Sequence, residues 1–200
     1  VGSEMCIRDR TTPEEFGDLQ IKNSAKGLEV IKEQGNDLMS FVQSYRTFLS
    51  VPEPDREIIP ATKILEKVRL LLQEYTNAHD ITLEVIAEPE DLELYIDEKQ
   101  LTQILLNLGK NAQQALEGQE EGKIVITAGE SPQGKKYITV TDNGPGISPE
   151  MLDEVFVPFF TTKSTGTGIG LSLSKQIMRL HGGSIRVTSN ETTTFTLTFQ

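Results

Sequence analysis

The stretch from Asp142 to Leu171 constrains this chain more than any other. It reads Asp-Asn-Gly-Pro-Gly, then Val-Pro-Phe-Phe-Thr-Thr-Lys, then Gly-Thr-Gly-Ile-Gly-Leu. Two glycine-rich loops flank an aromatic, lysine-bearing hinge. Glycine lets backbone approach a flat or highly charged ligand without a Cβ clash. Upstream, Asn107 and Asn111 lie four residues apart on a predicted helix, so both point to one side. Together these predict a pocket for a magnesium-bound nucleoside triphosphate. They are not those of a Rossmann site, because no apolar strand runs directly into the glycine triplet. The GxxxxGK[ST] pattern of a P-loop is absent.

The bulk numbers bound the alternatives. Two hundred residues suffice for one domain of ordinary size plus an appendage, and 36% apolar residues allow a packed core of mostly Leu, Ile and Val. A formal charge of −11 argues against a nucleic-acid groove, which needs a clustered basic face. The single cysteine, Cys6, excludes an intrachain disulfide and a Cys-based zinc site and suits a reducing compartment. No apolar run approaches the roughly 18 residues of a membrane span, and no signal peptide is recognisable. The expectation is a cytoplasmic fragment with no nucleic-acid partner and no direct membrane contact, whose full-length parent can still be membrane-anchored.

Organisation follows from periodicity and punctuation. Val1–Arg10 matches nothing that follows and reads as a non-native or unstructured leader. From about Glu14 to Leu49 there is no proline, and Leu28, Ile31, Leu38, Val42, Tyr45 and Leu49 form a heptad seam in which Gly35 fills one position. One helix cannot bury that stripe alone, which predicts a dimerisation helix, the plainer alternative being a helix packed onto its own domain. Val-Pro-Glu-Pro-Asp at 51–55 stops the helix as a linker. Beyond it the pattern predicts helices from about Pro60 to Ala78, Glu98 to Leu116 and Gly170 to His181. It predicts strands at 81–85, 92–95, 123–128, 137–142, 184–189 and 194–199. Asp97 reads as an N-cap with Gln100 placed as in a capping box, and Gly182-Gly183 as a C-cap. The implied fold is a two-layer α/β sandwich, a mixed sheet with helices on one face. The expected boundaries are residues 11–52 for the helical segment, 53–59 for the linker and 60–200 for the main domain.

The residue types suggest roles. Carboxamide oxygens on Asn107 and Asn111 suit a hard cation that keeps waters and borrows phosphate oxygens, as Mg²⁺ does; Lys110 could reach a phosphate. Asp142 ends an apolar strand, where a carboxylate can accept from an exocyclic amine such as that of adenine. Amides near Gly166, Gly168 and Gly170 open a helix and can bind phosphate oxygens. Phe156, Phe159 and Phe160 would anchor a lid carrying Thr161, Thr162 and Lys163. Each motif alone also has a plainer reading: a solvated Asn pair, an Asx turn, a packed aromatic turn.

In this order the motifs are far more specific. The chain resembles the catalytic ATP-binding (Bergerat-type) domain of bacterial sensor histidine kinases, within the superfamily of gyrase B, the Hsp90 chaperones and MutL. Leu106–Ala112 is similar to the N box, Asp142–Gly146 to the G1 box, Phe156–Lys163 to the F box and Gly166–Leu171 to the G2 box. PFFTTK and the short lid look most like the nitrogen-regulation subtype, and Glu29–Pro54 resembles the second helix of its dimerisation and phosphotransfer domain. The resemblance implies Mg²⁺ on Asn111, with Asn107 supporting it or positioning the γ-phosphate. It implies the adenine amine on Asp142, phosphates on Lys110 and Lys163, and a water-mediated adenine contact from Thr193. Gly144, Gly146, Ile147, Phe160, Thr162, Thr167 and Leu171 would complete the nucleotide site, with Gly166, Gly168 and Gly170 supplying lid mobility and amides. Catalytic duty would fall to Asn107, Lys110 and Lys163. Implied partners are ATP, a response-regulator receiver domain and a second copy of the chain.

Three departures stand out. Thr192 occupies the place before Thr193 where glycine is usual. Gly109 sits inside the N-box helix, where it should cost stability. Neither His79 nor His181 lies in a phosphoacceptor context, so the expectation is that the acceptor helix is missing. His181, at a helix end, would complement the dipole as a cation. The rival readings are a gyrase-, Hsp90- or MutL-like ATPase, an anti-sigma-factor serine kinase, and a non-catalytic dimerisation scaffold. Those ATPases carry a glutamate at the place of Asn107.

Overall fold

The computed structural model describes residues 13–163 and 166–199. The leader expected at 1–10 lies outside the described residues. The chain divides into two compact units, one ending at Tyr45 and the other beginning at Arg46.

Helix α1 spans Pro13–Leu49. Its seam residues Leu28, Ile31, Leu38, Val42, Tyr45 and Leu49 are all exposed. The helix ends where Ser50 turns both its amide and its hydroxyl onto the Arg46 carbonyl, at 3.0 and 2.6 Å, ahead of Pro52 and Pro54. No helix among the described residues is long and apolar enough to cross a membrane.

In the second unit the elements run β1 (Glu57–Pro60), α2 (Ala61–Ala78), β2 (Thr82–Glu88), β3 (Glu93–Ile96), α3 (Glu98–Ala115), β4 (Lys123–Glu130), β5 (Lys136–Asp142), α4 (Pro149–Leu152), α5 (Gly170–Leu180), β6 (Ser184–Ser189) and β7 (Thr193–Thr198). A five-stranded sheet has the order β2-β4-β5-β7-β6. β2 and β4 are parallel and every other pair is antiparallel. This is the mixed-sheet sandwich that the periodicity predicts. Alternate residues Ile124, Ile126 and Ala128 of β4, and Ile138 and Val140 of β5, are buried, as are Leu101, Ile104, Leu105 and Leu108 of α3 and Ile64, Leu65, Val68 and Leu72 of α2. They form one cluster, with Ile177 and Met178 of α5.

Strand β1 is absent from the sequence reading. It has four residues, only Ile59 of them buried, and its partner β3 lies far along the chain; so short a run shows no alternation. It forms a small second sheet with β3, and the Ala61 amide extends the pairing to the Leu92 carbonyl at 2.8 Å.

Two sequence expectations at the ends of α3 and α5 change in three dimensions. Asp97 does cap α3, its Oδ1 accepting from the Lys99 and Gln100 amides at 2.9 and 3.0 Å. The reciprocal half of the capping box does not form, however. The Gln100 side chain donates to the Pro52 carbonyl at 3.0 Å, and the Asp97 amide donates to His181 Nε2 at 3.1 Å. Since His181 Nδ1 faces the Ile177 carbonyl at 2.9 Å, the imidazole donates at Nδ1 and accepts at Nε2. His181 is therefore a buried strut between the end of α5 and the start of α3, with both ring nitrogens spent on backbone groups. With Asp55 N on Asp97 Oδ2 (3.0 Å) and Arg56 Nη2 on the Leu180 carbonyl (2.5 Å), these bonds hold residues 52–56 against the ends of α3 and α5.

Gly109 also has a reason. A Cβ there would overlap the Cδ1 of Leu72, a fully buried residue of α2, so glycine permits the close crossing of α2 and α3. The Gly109→Ala substitution would stabilise an open helix by roughly 1 kcal/mol. Here it is expected to destabilise the protein by about 1–3 kcal/mol in urea unfolding, as overpacking does, with part recovered by adding Leu72→Val. A second link between these helices is electrostatic. Lys63 and Lys67 approach the Glu98 carboxylate at 2.9 and 2.6 Å, and their hydrogen bonds hold its pKa down at about 2. The native state then binds that proton more weakly than an unfolded chain with the ordinary value of 4.5. The stabilisation is complete above that value and lost as pH falls through the native one. Thermal melts of Glu98→Gln should fall below the parent near neutral pH, and the gap should close as pH drops from 4.5 towards 2.

Candidate functional site

Strand β5 is the middle strand of the sheet, and Asp142 is its last residue, registered against Ile124 on one side and Thr193 on the other. Asp142 is only 4% exposed. One oxygen, Oδ1, accepts from the Gly144 amide at 3.0 Å. Burial pushes its pKa above the ordinary 3.8, and the Gly144 amide partly opposes this. The loop that follows is pinned from two sides. Asn143 Oδ1 accepts from the Lys123 amide at 2.7 Å and its Nδ2 donates to the Glu121 carbonyl at 3.0 Å. Ser189 Oγ accepts from the Ile147 amide at 2.8 Å and lies 3.2 Å from Thr193 Oγ1. Gly146 makes the turn possible with a φ of 84°. The β6–β7 turn accommodates Thr192 without a left-handed backbone there, closing with the Asn190 amide on the Thr192 carbonyl at 3.1 Å.

Asn107 and Asn111 lie on the edge of α3 next to its buried face. Asn107 Nδ2 donates to Ser174 Oγ of α5 at 3.1 Å. Asn111 Oδ1 accepts from the Lys163 ammonium at 3.0 Å, and that ammonium also bonds Gln114 Oε1. Burial lowers the Lys163 pKa, against a raising influence from Glu117. The segment before Lys163 is strapped to the loop after it. Phe159, at φ 69°, donates its amide to the Gly168 carbonyl at 2.9 Å. Gly168, at φ 66°, sits so close to the Phe159 backbone that a side chain there would collide with it. Phe156 packs edge-on against Phe195, with ring centroids 6.4 Å apart.

These pieces enclose one cavity of about 490 Å³. Its lining includes Asn107, Asn111, Asp142, Gly146, Ile147, Phe160, Thr162, Lys163, Gly166, Thr167, Gly168, Gly170, Leu171 and Thr193, all of them residues expected from the sequence. Two expected residues stand apart. Gly144 is not in the wall, but its amide orients Asp142. Lys110 is also outside the wall, its ammonium 4.8 Å above the Tyr75 ring of α2, because at one position before Asn111 it is turned about 100° around the helix. Missed by the sequence reading were Gln114, Ala112 and Ala115 on α3, Met151 and Val155 near α4, and Phe195 on β7. Gln114 sits three residues after Asn111 and was findable by helical spacing; Phe195 was not, since only the sheet register brings it there.

Sheet, helices and cavity define the class: the ATP-binding α/β sandwich shared by histidine kinases, gyrase B and Hsp90. Residues 96–200, more than half the chain, match the family described as histidine kinase-, DNA gyrase B-, and HSP90-like ATPase, and the chain belongs to that family. It is 46% identical over 138 residues to sensor histidine kinase ZraS of Escherichia coli (strain K12), a match covering 68% of this chain and 29% of ZraS. It is 40% identical over 145 residues to the sensory histidine kinase/phosphatase NtrB of Vibrio alginolyticus, covering 68% of this chain and 41% of NtrB. The chain thus spans less than half the length of these relatives. The solved catalytic domain of histidine kinase ThkA superposes with a TM-score of 0.66 at 31% identity, over 72% of this chain and 95% of that domain. ThkA in complex with the response regulator TrrA gives a TM-score of 0.71 at 26% identity, over 87% of this chain and 50% of that one.

The Asp142 environment makes a prediction for the nucleotide-free protein. The native state binds the Asp142 proton more tightly than the unfolded chain does. Folding stability therefore falls as pH rises from the ordinary 3.8 through the raised native value, and the cost persists above it. The Asp142→Asn variant removes that cost and keeps an acceptor for Gly144. Its melting temperature without nucleotide should equal or exceed the parent's at neutral pH, and the difference should vanish in acid.

Proposed function

We propose that the cavity binds ATP with Mg²⁺, and that this unit transfers the γ-phosphate to a histidine side chain for relay to a response-regulator aspartate. The observation that carries this reading is the pairing, in one cavity wall, of a buried carboxylate with a free oxygen (Asp142) and a carboxamide already holding a cation (Asn111 with Lys163). Asp142 would accept from the adenine amine, Thr193 would assist through water, and Lys163 would leave Asn111 for the phosphates. Asn111 fits Mg²⁺ because its oxygen accepts from the Lys163 ammonium, a stand-in positive charge. Among the described residues no cluster of three His, Cys, Asp or Glu could hold a metal by itself. The ion must then draw on phosphate oxygens and water, as Mg²⁺ usually does. When bound it would neutralise charge developing on the transferred group. A neutral imidazole needs little help from a base near pH 7, and Asn107, unlike a glutamate, does not activate water. That favours transfer to a side chain over steady hydrolysis.

The same reading assigns residues 11–52 to a helical dimerisation and phosphotransfer segment, 53–59 to the linker and 60–200 to the catalytic domain. The exposed heptad residues of α1 support a homodimer through that helix, since Leu28, Ile31 and Leu38 are each more than 60% exposed. The structure of ThkA with a response regulator supports a receiver domain as partner, and a cytoplasmic site of action follows from that chemistry.

Calorimetry with Mg-ATP should show binding, and Asp142→Asn should weaken it by at least about tenfold, or 1.4 kcal/mol. Incubation with γ-labelled ATP should leave no acid-labile label on the chain's own histidines, because both His181 ring nitrogens are engaged and His79 merely caps α2. The absence of heat from the wild type would overturn the reading.

A further inference from the structure

The structure assigns Ser174 as the positioning residue that orients the Asn107 carboxamide, so that Asn107 serves the metal side of the bound nucleotide as an acceptor and does not donate to phosphate. This rests on the nucleotide reading of the cavity and decides between the two roles open to Asn107 within it.

Ser174 lies one turn into α5 and is 2% exposed. Its hydroxyl proton is used: Oγ donates to the Gly170 carbonyl, four residues back, at 2.9 Å, a common habit of serine within helices. What remains on Oγ toward α3 is a lone pair, and Asn107 faces it at 3.1 Å. Only the NH₂ half of a carboxamide can satisfy a lone pair. Nδ2 is thereby committed to α5, and Oδ1 is the atom left for the cavity. A second observation agrees. Oδ1 lies against the Cα of Gly170, another cavity-lining residue, so close that a Cβ at 170 would displace it. Gly170 is thus needed at the start of α5 for the space that the Asn107 oxygen fills, as well as for any backbone mobility.

The chemistry of the oxygen decides its partner. Phosphate oxygens are acceptors and would be repelled by Oδ1; a metal ion, or a water bound to it, would be attracted. Asn107 and Asn111 lie one helical turn apart and would present two neutral oxygens to the same cation. Ser174 acts through Asn107 and touches neither nucleotide nor metal. Outer partners of this kind typically change metal affinity by 10–100-fold when removed.

The test is a Mg²⁺ titration of ATP binding, followed by calorimetry, in the wild-type chain and in Ser174→Ala, with metal-free ADP binding and the melting temperature as controls. The Ser174→Ala variant should need at least about tenfold more Mg²⁺ to reach half its maximal ATP affinity, with metal-free ADP binding unchanged. A merely structural role would lower metal-free binding and melting temperature together. In an Asn107→Asp background, where both side-chain atoms are acceptors, adding Ser174→Ala should cost no further Mg²⁺ affinity. An identical Mg²⁺ dependence in Ser174→Ala and wild type overturns the assignment while leaving the nucleotide site standing. Failure of the wild type to bind Mg-ATP at all overturns both. If Ser174→Ala does not fold, the Asn107 side-chain amide protons in the wild-type NMR spectrum decide: protection from exchange supports the bond to Ser174, and solvent-rate exchange overturns it.

Discussion

The site depends on how α3 is held. One face of the helix, Leu101, Ile104, Leu105 and Leu108, is buried completely or nearly so, and burial of four such side chains contributes on the order of 6–12 kcal/mol before entropy. That burial sets the rotation of the helix about its axis and so decides that Asn107, Asn111 and Gln114 meet the cavity while Lys110 meets Tyr75. Gly109 sets how deep α2 lies against it, and the Glu98 ion pairs and the Asp97–His181 bond fix its N-terminal end.

Charge is handled locally in a strongly acidic chain. Asp142 is kept off the solvent at the end of the central strand, with one oxygen unspent on the protein. Lys163 is held by two neutral oxygens and no carboxylate. Neutral partners leave the ammonium open to exchange, since an anionic oxygen would offer it a full opposing charge in place of two dipoles. Burial of Lys163, which lowers its pKa, sharpens this preference for an anionic partner.

The segments around the cavity are held by two different sets of contacts. The loop after β5 is anchored by Asn143 and Ser189 to neighbouring strands. The lid side is joined to the rest by the Phe159–Gly168 strap and the Phe156–Phe195 contact. On the proposed nucleotide reading, the anchored loop beside Asp142 would face the base and the strapped segment bearing Lys163 the phosphates.

Much of this was legible in the linear chain. Helical and alternating periodicity located α1, α2, α3, α5 and the strands of the five-stranded sheet, because those patterns are local consequences of 3.6- and 2-residue repeats. Asp142, the Asn pair and the glycine loops could be named because their chemistry is carried by residue type and short spacing. The chain alone could not settle what each polar atom bonds. His181 became a strut to the Asp97 amide, Gln100 turned to Pro52, Gly109 became a contact with Leu72, and the Asn107 amide was oriented by Ser174. Each of these partners lies dozens of residues away, and only the packing of helices on the sheet chooses among the donors and acceptors that come within about 3 Å.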